Sequence, residues 1–156
     1  MSTVSFCKGW FRAKKLSLEA YTYEQAQALH LKGELYCALI GPVASPTCFL
    51  EIKHGFVGVG FLDEALREYL TYAFQEKQPG KLFLSMATWR EFEGNSDKVS
   101  KGTAYLFQPD GTLTISREGF VPVHSLETSS SSADVSGNWE HFPDFGRYEH
   151  FTRAER

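Results

Sequence analysis

The 156-residue chain has no long apolar run. Nothing in it approaches the roughly 18 residues that a membrane-crossing helix needs. Residues 1–15 alternate polar and aromatic side chains and hold no stretch resembling a secretory signal. Cysteine is scarce. Cys7, Cys37 and Cys48 are an odd number with no CxxC spacing, which argues against a disulfide framework or a zinc site. The expectation is three reduced, partly buried thiols in a cytoplasmic protein, with a Cys37–Cys48 pairing across a sheet left open. No excess of positive charge exists. Sixteen bases against nineteen acids give a formal charge of −3, so a nucleic-acid binder, which needs a basic footprint, is not expected. Motifs with a strong mechanism are also missing. There is no GxSxG, P-loop, HExxH, EF-hand loop or dinucleotide fingerprint. No catalytic residue, metal or cofactor is assigned.

What the chain does have is rings. Aromatic residues make up 15% of it, with 13 Phe, pointing to a β-rich protein or an adhesive surface. The size and a 42% hydrophobic content fit one domain over residues 1–156.

Along the chain, Val4, Phe6 and Trp10 can start a strand. Residues 23–31 favour a short helix, with Thr22 as cap and Gly33 as stop. Residues 34–40 read as a strand. Residues 48–53 and 56–61 read as a hairpin around His54-Gly55, where Gly supplies the positive φ of a tight turn. Gly58 and Gly60 fall on one face of its second strand, so a packed ring or a ligand must lie close to bare backbone. Leu62, Leu66, Tyr69, Leu70, Ala73 and Phe74 recur at three-and-four spacing. They predict the main helix over 63–78, capped by Asp63 and stopped by Pro79-Gly80. Residues 81–89 read as a central strand. Residues 102–108 and 112–118 form a second hairpin on Pro109-Asp110-Gly111.

A Ser-rich mobile loop is expected near 127–137 and an aromatic tail over 138–156. The fold class is α+β: an antiparallel sheet of about five to seven strands packed on the 63–78 helix, with the short helix near 23–31. The predicted core is Leu50, Ile52, Val57, Val59, Leu66, Leu70, Phe74, Leu82, Leu84, Leu106, Leu113 and Ile115.

Chemistry is sparse. Trp139-Glu-His-Phe142 and Tyr148-Glu-His-Phe151 repeat one pattern, and their His and Glu pairs are weak metal or acid–base candidates. A cysteine paired with His30, His54 or His124 is a weak nucleophile candidate. The acidic segment after residue 89 is the better surface. Trp89, Glu91, Glu93, Asp97 and Glu118 combine a ring with carboxylates, as recognition of a basic protein surface requires.

The run FLEIKHGFVGVGF, then DEALREYLTYAF, then PGKLFLSMATWREFEGNSDKVSKGTAYLFQPDGTLTISRE (residues 49–118) resembles small immunity proteins of bacterial polymorphic-toxin and contact-dependent inhibition systems. The resemblance implies a cytoplasmic, non-catalytic protein that binds a cognate toxin domain and occludes its active site. It carries over no functional residue. Two other readings stay open. One is a ligand-binding or enzymatic domain using the Gly58/Gly60 face with His54, Glu91 or the tail His residues. The other is a subunit of a larger assembly that docks through its aromatic tail.

Overall fold

A computed structural model describes residues 3–156, so Met1 and Ser2 of the N-terminal segment lie outside the described residues. The described strands form one antiparallel sheet. They are β1 (Val4–Phe11), β2 (Leu16–Tyr21), β3 (Tyr36–Ile40), β4 (Cys48–Lys53), β5 (Phe56–Leu62), β6 (Glu68–Gln78), β7 (Lys81–Phe92), β8 (Val99–Phe107), β9 (Thr112–Gly119), β10 (Ser125–Ser132) and β11 (Trp139–His141). The order is β10-β9-β8-β7-β6-β5-β4-β3-β1-β2. The short β11 extends the β8 side of β7, pairing residues 139–141 with 81–83. From β3 to β10, each strand pairs with its sequence neighbour through a hairpin, which needs only short loops.

The α+β expectation is corrected on its main element. Residues 63–78 are not a helix. Asp63 does cap a turn, accepting from the backbone N–H of Ala65 and of Arg67 at 2.9 Å each, but the turn ends at Leu66, whose φ is +59°. From Glu68 the chain is strand β6, bonded to β5 and β7 along its length. The reason is visible in one residue. Tyr72, absent from the helical stripe, is only 4% exposed and alternates with buried Leu70 and Phe74. Period two therefore describes 70–74 better than period 3.6, and Pro79-Gly80 is a hairpin turn, not a helix stop. Pairing on both sides outweighs local helix propensity. Among the described residues the sheet accordingly has eleven strands, not five to seven.

The only α-helix among the described residues is α1 (Tyr23–Lys32), where the short helix was expected. Thr22 accepts from the Gln25 N–H, Gln25 returns a bond to the Thr22 N–H, and Gly33 closes the end in the left-handed region. The Ser-rich stretch expected to be a loop forms edge strand β10 over residues 125–132, paired with β9 throughout.

The two faces of the sheet differ. On the first, α1 and residues 138–156 cover a core of Tyr36, Leu50, Ile52, Val57, Val59, Leu70, Phe74, Leu82 and Leu84. The tail is built into it. Phe145 stacks on Phe6, Phe151 meets the Phe74 ring edge-on, and Tyr72 donates to the Ala154 carbonyl at 2.6 Å. On the second face, Trp10 stacks on Phe49 over Cys7, Cys37, Leu39 and Leu62. Four predicted core residues are not buried. Leu66 is half-buried because it sits in the 63–67 turn at the edge of the Trp10–Phe49 cluster. Leu113 and Ile115 are half-buried and Leu106 is exposed because nothing comparable covers the β8–β9 half.

Candidate partner surface and cleft

Strand register fixes where the predicted surface residues lie. Trp89 opposes Leu70 and Thr103, so it stands on the first face, 42% exposed and beside the Tyr69 ring. Glu91 follows on the same face, opposite Lys101. Glu93 follows β7; its N–H donates to the Lys98 carbonyl, closing the 93–98 loop. Asp97 sits 2.7 Å from Lys15 Nζ, and Glu118 lies 2.7 Å from His124 Nε2. All five gather at one end of the β7–β9 strands but are split between faces. Their acidity is partly compensated, since Lys98 is 3.5 Å from Glu93. Among the described residues, neither Glu91 nor Glu118 has a lysine or arginine nitrogen within 4 Å.

Beside this end the second face lies open. Small side chains line it: Thr88 on β7, Gly102 and Ala104 on β8, and Ser116 on β9. Phe120 bounds the resulting hollow of about 290 Å³. Exposed Met86 opposes exposed Leu106 on this stretch, and Leu126 opposes Glu118 at the edge. An antiparallel sheet can face water on one side, but apolar side chains grouped there favour a partner.

Further along the second face is a cleft of about 340 Å³. It is enclosed by the β1–β2 turn, the 63–67 turn, the end of β7 and the 93–98 loop. Trp10, Leu62, Leu66 and Phe92 line it with Arg12, Lys15, Arg67, Glu68, Arg90 and Asp97. Of these polar residues only Asp97 was expected from sequence to belong to a site. The lining is drawn from residues 10 to 97, so no linear spacing could have revealed it. The signal that existed was weaker: basic residues next to rings, as in Trp10-Phe11-Arg12 and Trp89-Arg90-Glu91-Phe92.

The remaining sequence candidates resolve into structure. The Gly60 backbone is covered by the Phe49 ring and Gly58 by the Phe56 ring, so rings, not a ligand, fill that face. Cys37 opposes Glu51 while Cys48 opposes Ile40, which puts the two thiols on opposite faces, and they do not pair. Cys37 instead opposes Cys7. All three cysteines are free and buried. Cys7 and burial together push the Cys37 thiol far up, and burial raises Cys48, so neither is an activated nucleophile. The repeated tail pattern serves packing. Trp139 meets the Phe83 ring, Tyr148 is buried, and Glu140 is ringed by Arg156 at 3.1 Å, Arg153 at 3.6 Å and His150 at 4.0 Å. Among the described residues, no three His, Cys, Asp or Glu side chains come together as a metal site. No helix among the described residues is long and apolar enough to cross a membrane.

Compared with protein-family models, curated proteins and solved structures, the chain matches none.

Proposed function

We propose that this chain is an immunity protein that binds a cognate bacterial toxin domain in the cytoplasm and blocks it by occlusion, without catalysis. The observation that carries the reading is the uncovered end of the β7–β10 half-sheet. There Met86, Leu106 and Leu126 stay exposed on the second face, Trp89 on the first, and Phe120 and Val123 beyond β9, whereas β3 to the first part of β7 are largely buried. Interfaces are anchored by such rings and aliphatics, with charge at the rim. Glu91, exposed opposite Lys101, supplies a rim carboxylate with no ion pair within 4 Å among the described residues. Glu93 and Asp97 already pair with lysines, so charge steers association only modestly. The resemblance of residues 49–118 to immunity proteins supports the same reading. The tail rings pack on the chain's own sheet, so docking through a free aromatic tail has less support.

The test is capture of partners from the native source on the tagged protein, followed by inhibition of the captured toxin domain in a purified assay. The expected result is one stoichiometric partner and full inhibition at equimolar protein. Trp89→Ala combined with Glu91→Lys should weaken binding by about 100-fold, about 2.7 kcal/mol. No toxin partner from cells expressing the locus would reject this role, and unchanged affinity in the double variant would reject Trp89 and Glu91 as its surface.

A further inference from the structure

The cleft bounded by Trp10 and Arg90 has the form of a small-molecule site: a concave apolar floor, a few convergent polar groups and about 340 Å³ of space. Most of its charges are already committed to one another. Arg12 donates from Nε to Glu68 at 2.6 Å and lies 3.5 Å from Glu51. Lys15 donates to Asp97 at 2.7 Å and to the Ala65 carbonyl at 2.9 Å. Arg67 donates to Asp63 at 2.8 Å and to the carbonyls of Gly94 and Ser96 at 3.0 Å each, its guanidinium 4.7 Å from the Phe92 ring centroid. Glu68 and Asp97 are therefore neutralised where they line the cleft.

Arg90 is different. Its one hydrogen bond among the described residues is from Nη1 to Thr71 Oγ1 at 2.8 Å, and no carboxylate lies within 4 Å of it. The Thr71 hydroxyl is itself fixed, donating to Glu68 Oε2 at 2.8 Å. Arg90, half-buried, is thus held at one nitrogen while its other donors have no protein acceptor among the described residues and face the solvent-filled cleft. A guanidinium in that state matches a carboxylate through two parallel bonds. The cleft rim is also strained. Lys15 and Leu66 are two of the three non-glycine residues with positive φ among the described residues, at +55° and +59°, a backbone region that L side chains rarely adopt.

We infer that this cleft binds a small monocarboxylate with an apolar, ring-sized body. The carboxylate pairs with Arg90, and the body lies on Trp10, Leu62, Leu66 and Phe92. One uncommitted cation suits one negative charge. A phosphate dianion would need a second, and Arg12, Lys15 and Arg67 are taken. The site is independent of toxin binding, and its test involves no toxin.

The test is calorimetric titration of the full chain with phenylacetate, against acetate, benzyl alcohol and phenyl phosphate. Amide chemical-shift mapping is run alongside. Phenylacetate should bind at least tenfold more tightly than each of the other three, with shifts centred on Leu66, Arg90, Phe92 and Asp97. Arg90→Gln should weaken it at least tenfold and leave the ligand-free unfolding midpoint unchanged. Absence of binding, shifts centred elsewhere, tighter binding of phenyl phosphate, or acetate binding as well as phenylacetate would each overturn the proposal. Should Arg90→Gln unfold, the shift map and the ligand ranking on the unmodified chain decide it.

Discussion

Strand β3 is buried at every residue, whereas β8 and β9 contain no fully buried residue. The strands share one sheet and one hydrogen-bonding pattern, so the difference lies in what rests on them. Over β3–β7 the first face carries α1 and the tail, and the second carries the Trp10–Phe49 stack. Over β8–β10 neither face is covered to that degree. The sequence follows the difference. Tyr36–Ile40 is an unbroken apolar run, as a strand buried on both faces requires, while β9 interleaves Thr, Ser and Arg with Leu and Ile. One half holds the fold together, and the other presents surface. That division allows the uncovered end to serve recognition without weakening the core.

Truncation in each half tests the division most directly. Phe151, 1% exposed and 5.0 Å from the Phe74 ring centroid, ties the tail to the covered half. Phe151→Ala should lose about 3–5 kcal/mol of unfolding free energy in urea titration. Ile115→Ala, half-buried on β9, should lose about 1 kcal/mol or less. Equal losses would mean that the uncovered half contributes to stability as much as the covered one.

A glycine pair draws the same line inside β5. At Gly60 an added Cβ would overlap the Phe49 ring and sit 2.7 Å from Glu68 Oε2. Phe49 is buried beneath Trp10 and cannot swing aside. Gly60→Ala should therefore cost about 1–3 kcal/mol. At Gly58 the added Cβ would lie 3.1 Å from the Phe56 ring, which is half-buried and free to give. Gly58→Ala should change thermal stability by less than about 1 kcal/mol, since relief of glycine's entropy cost offsets the contact. A milder effect at Gly60 than at Gly58 would show that the Phe49 stack is not rigid.

Where the covered half has local signals, its architecture was readable in advance. Thr22 and Gly33 bounded the helix, and His54-Gly55 marked the β4–β5 turn. The 63–78 segment was misread because its apolar residues satisfy both periods, and only contacts with β5 and β7 choose between them. The β8–β9 hairpin was placed correctly from Pro109-Asp110-Gly111, yet Leu106, Leu113 and Ile115 were assigned to the core. Strand residues reveal a half-buried pattern but not whether a second layer exists to cover it. The cleft was illegible for a related reason. Arg12, Arg67 and Arg90 become neighbours only through the curl of the sheet, and nothing local distinguishes them from solvated surface charges.

Acidification probes how the tail is held. His30 Nδ1 lies 2.8 Å from the Tyr36 hydroxyl, which lies 2.9 Å from the Tyr148 hydroxyl of the tail. Burial pulls the His30 pKa below its ordinary 6.5, opposed by the charge of Asp144. Burial pushes both tyrosines up, so they stay neutral and can act as hydrogen-bond donors. Above pH 6.5 His30 is neutral in both folded and unfolded chains, and its contribution is constant. As pH falls below 6.5 the unfolded chain takes up the proton first, so stability declines until the folded-state pKa is passed. Unfolding midpoints measured from pH 7.5 to pH 5 should fall in the wild type and fall less in His30→Gln. Identical profiles would show that His30 is not held neutral by the α1–tail contact.

The smallest expected effect is on the open half, where the comparison can be made sharpest. Leu106 is 42% exposed opposite exposed Met86, and no second layer rests on either. Leu106→Thr keeps a residue that strands favour and removes an apolar side chain that is largely in water. Its unfolding free energy should stay within about 0.5 kcal/mol of wild type. If this face seats a partner, the same substitution should lower affinity for the captured toxin domain by at least tenfold, about 1.4 kcal/mol. A stability loss approaching that of Phe151→Ala would contradict the division between halves. Unchanged stability with unchanged affinity would move the interface off this face, leaving Trp89 and Glu91 on the opposite face as its anchors.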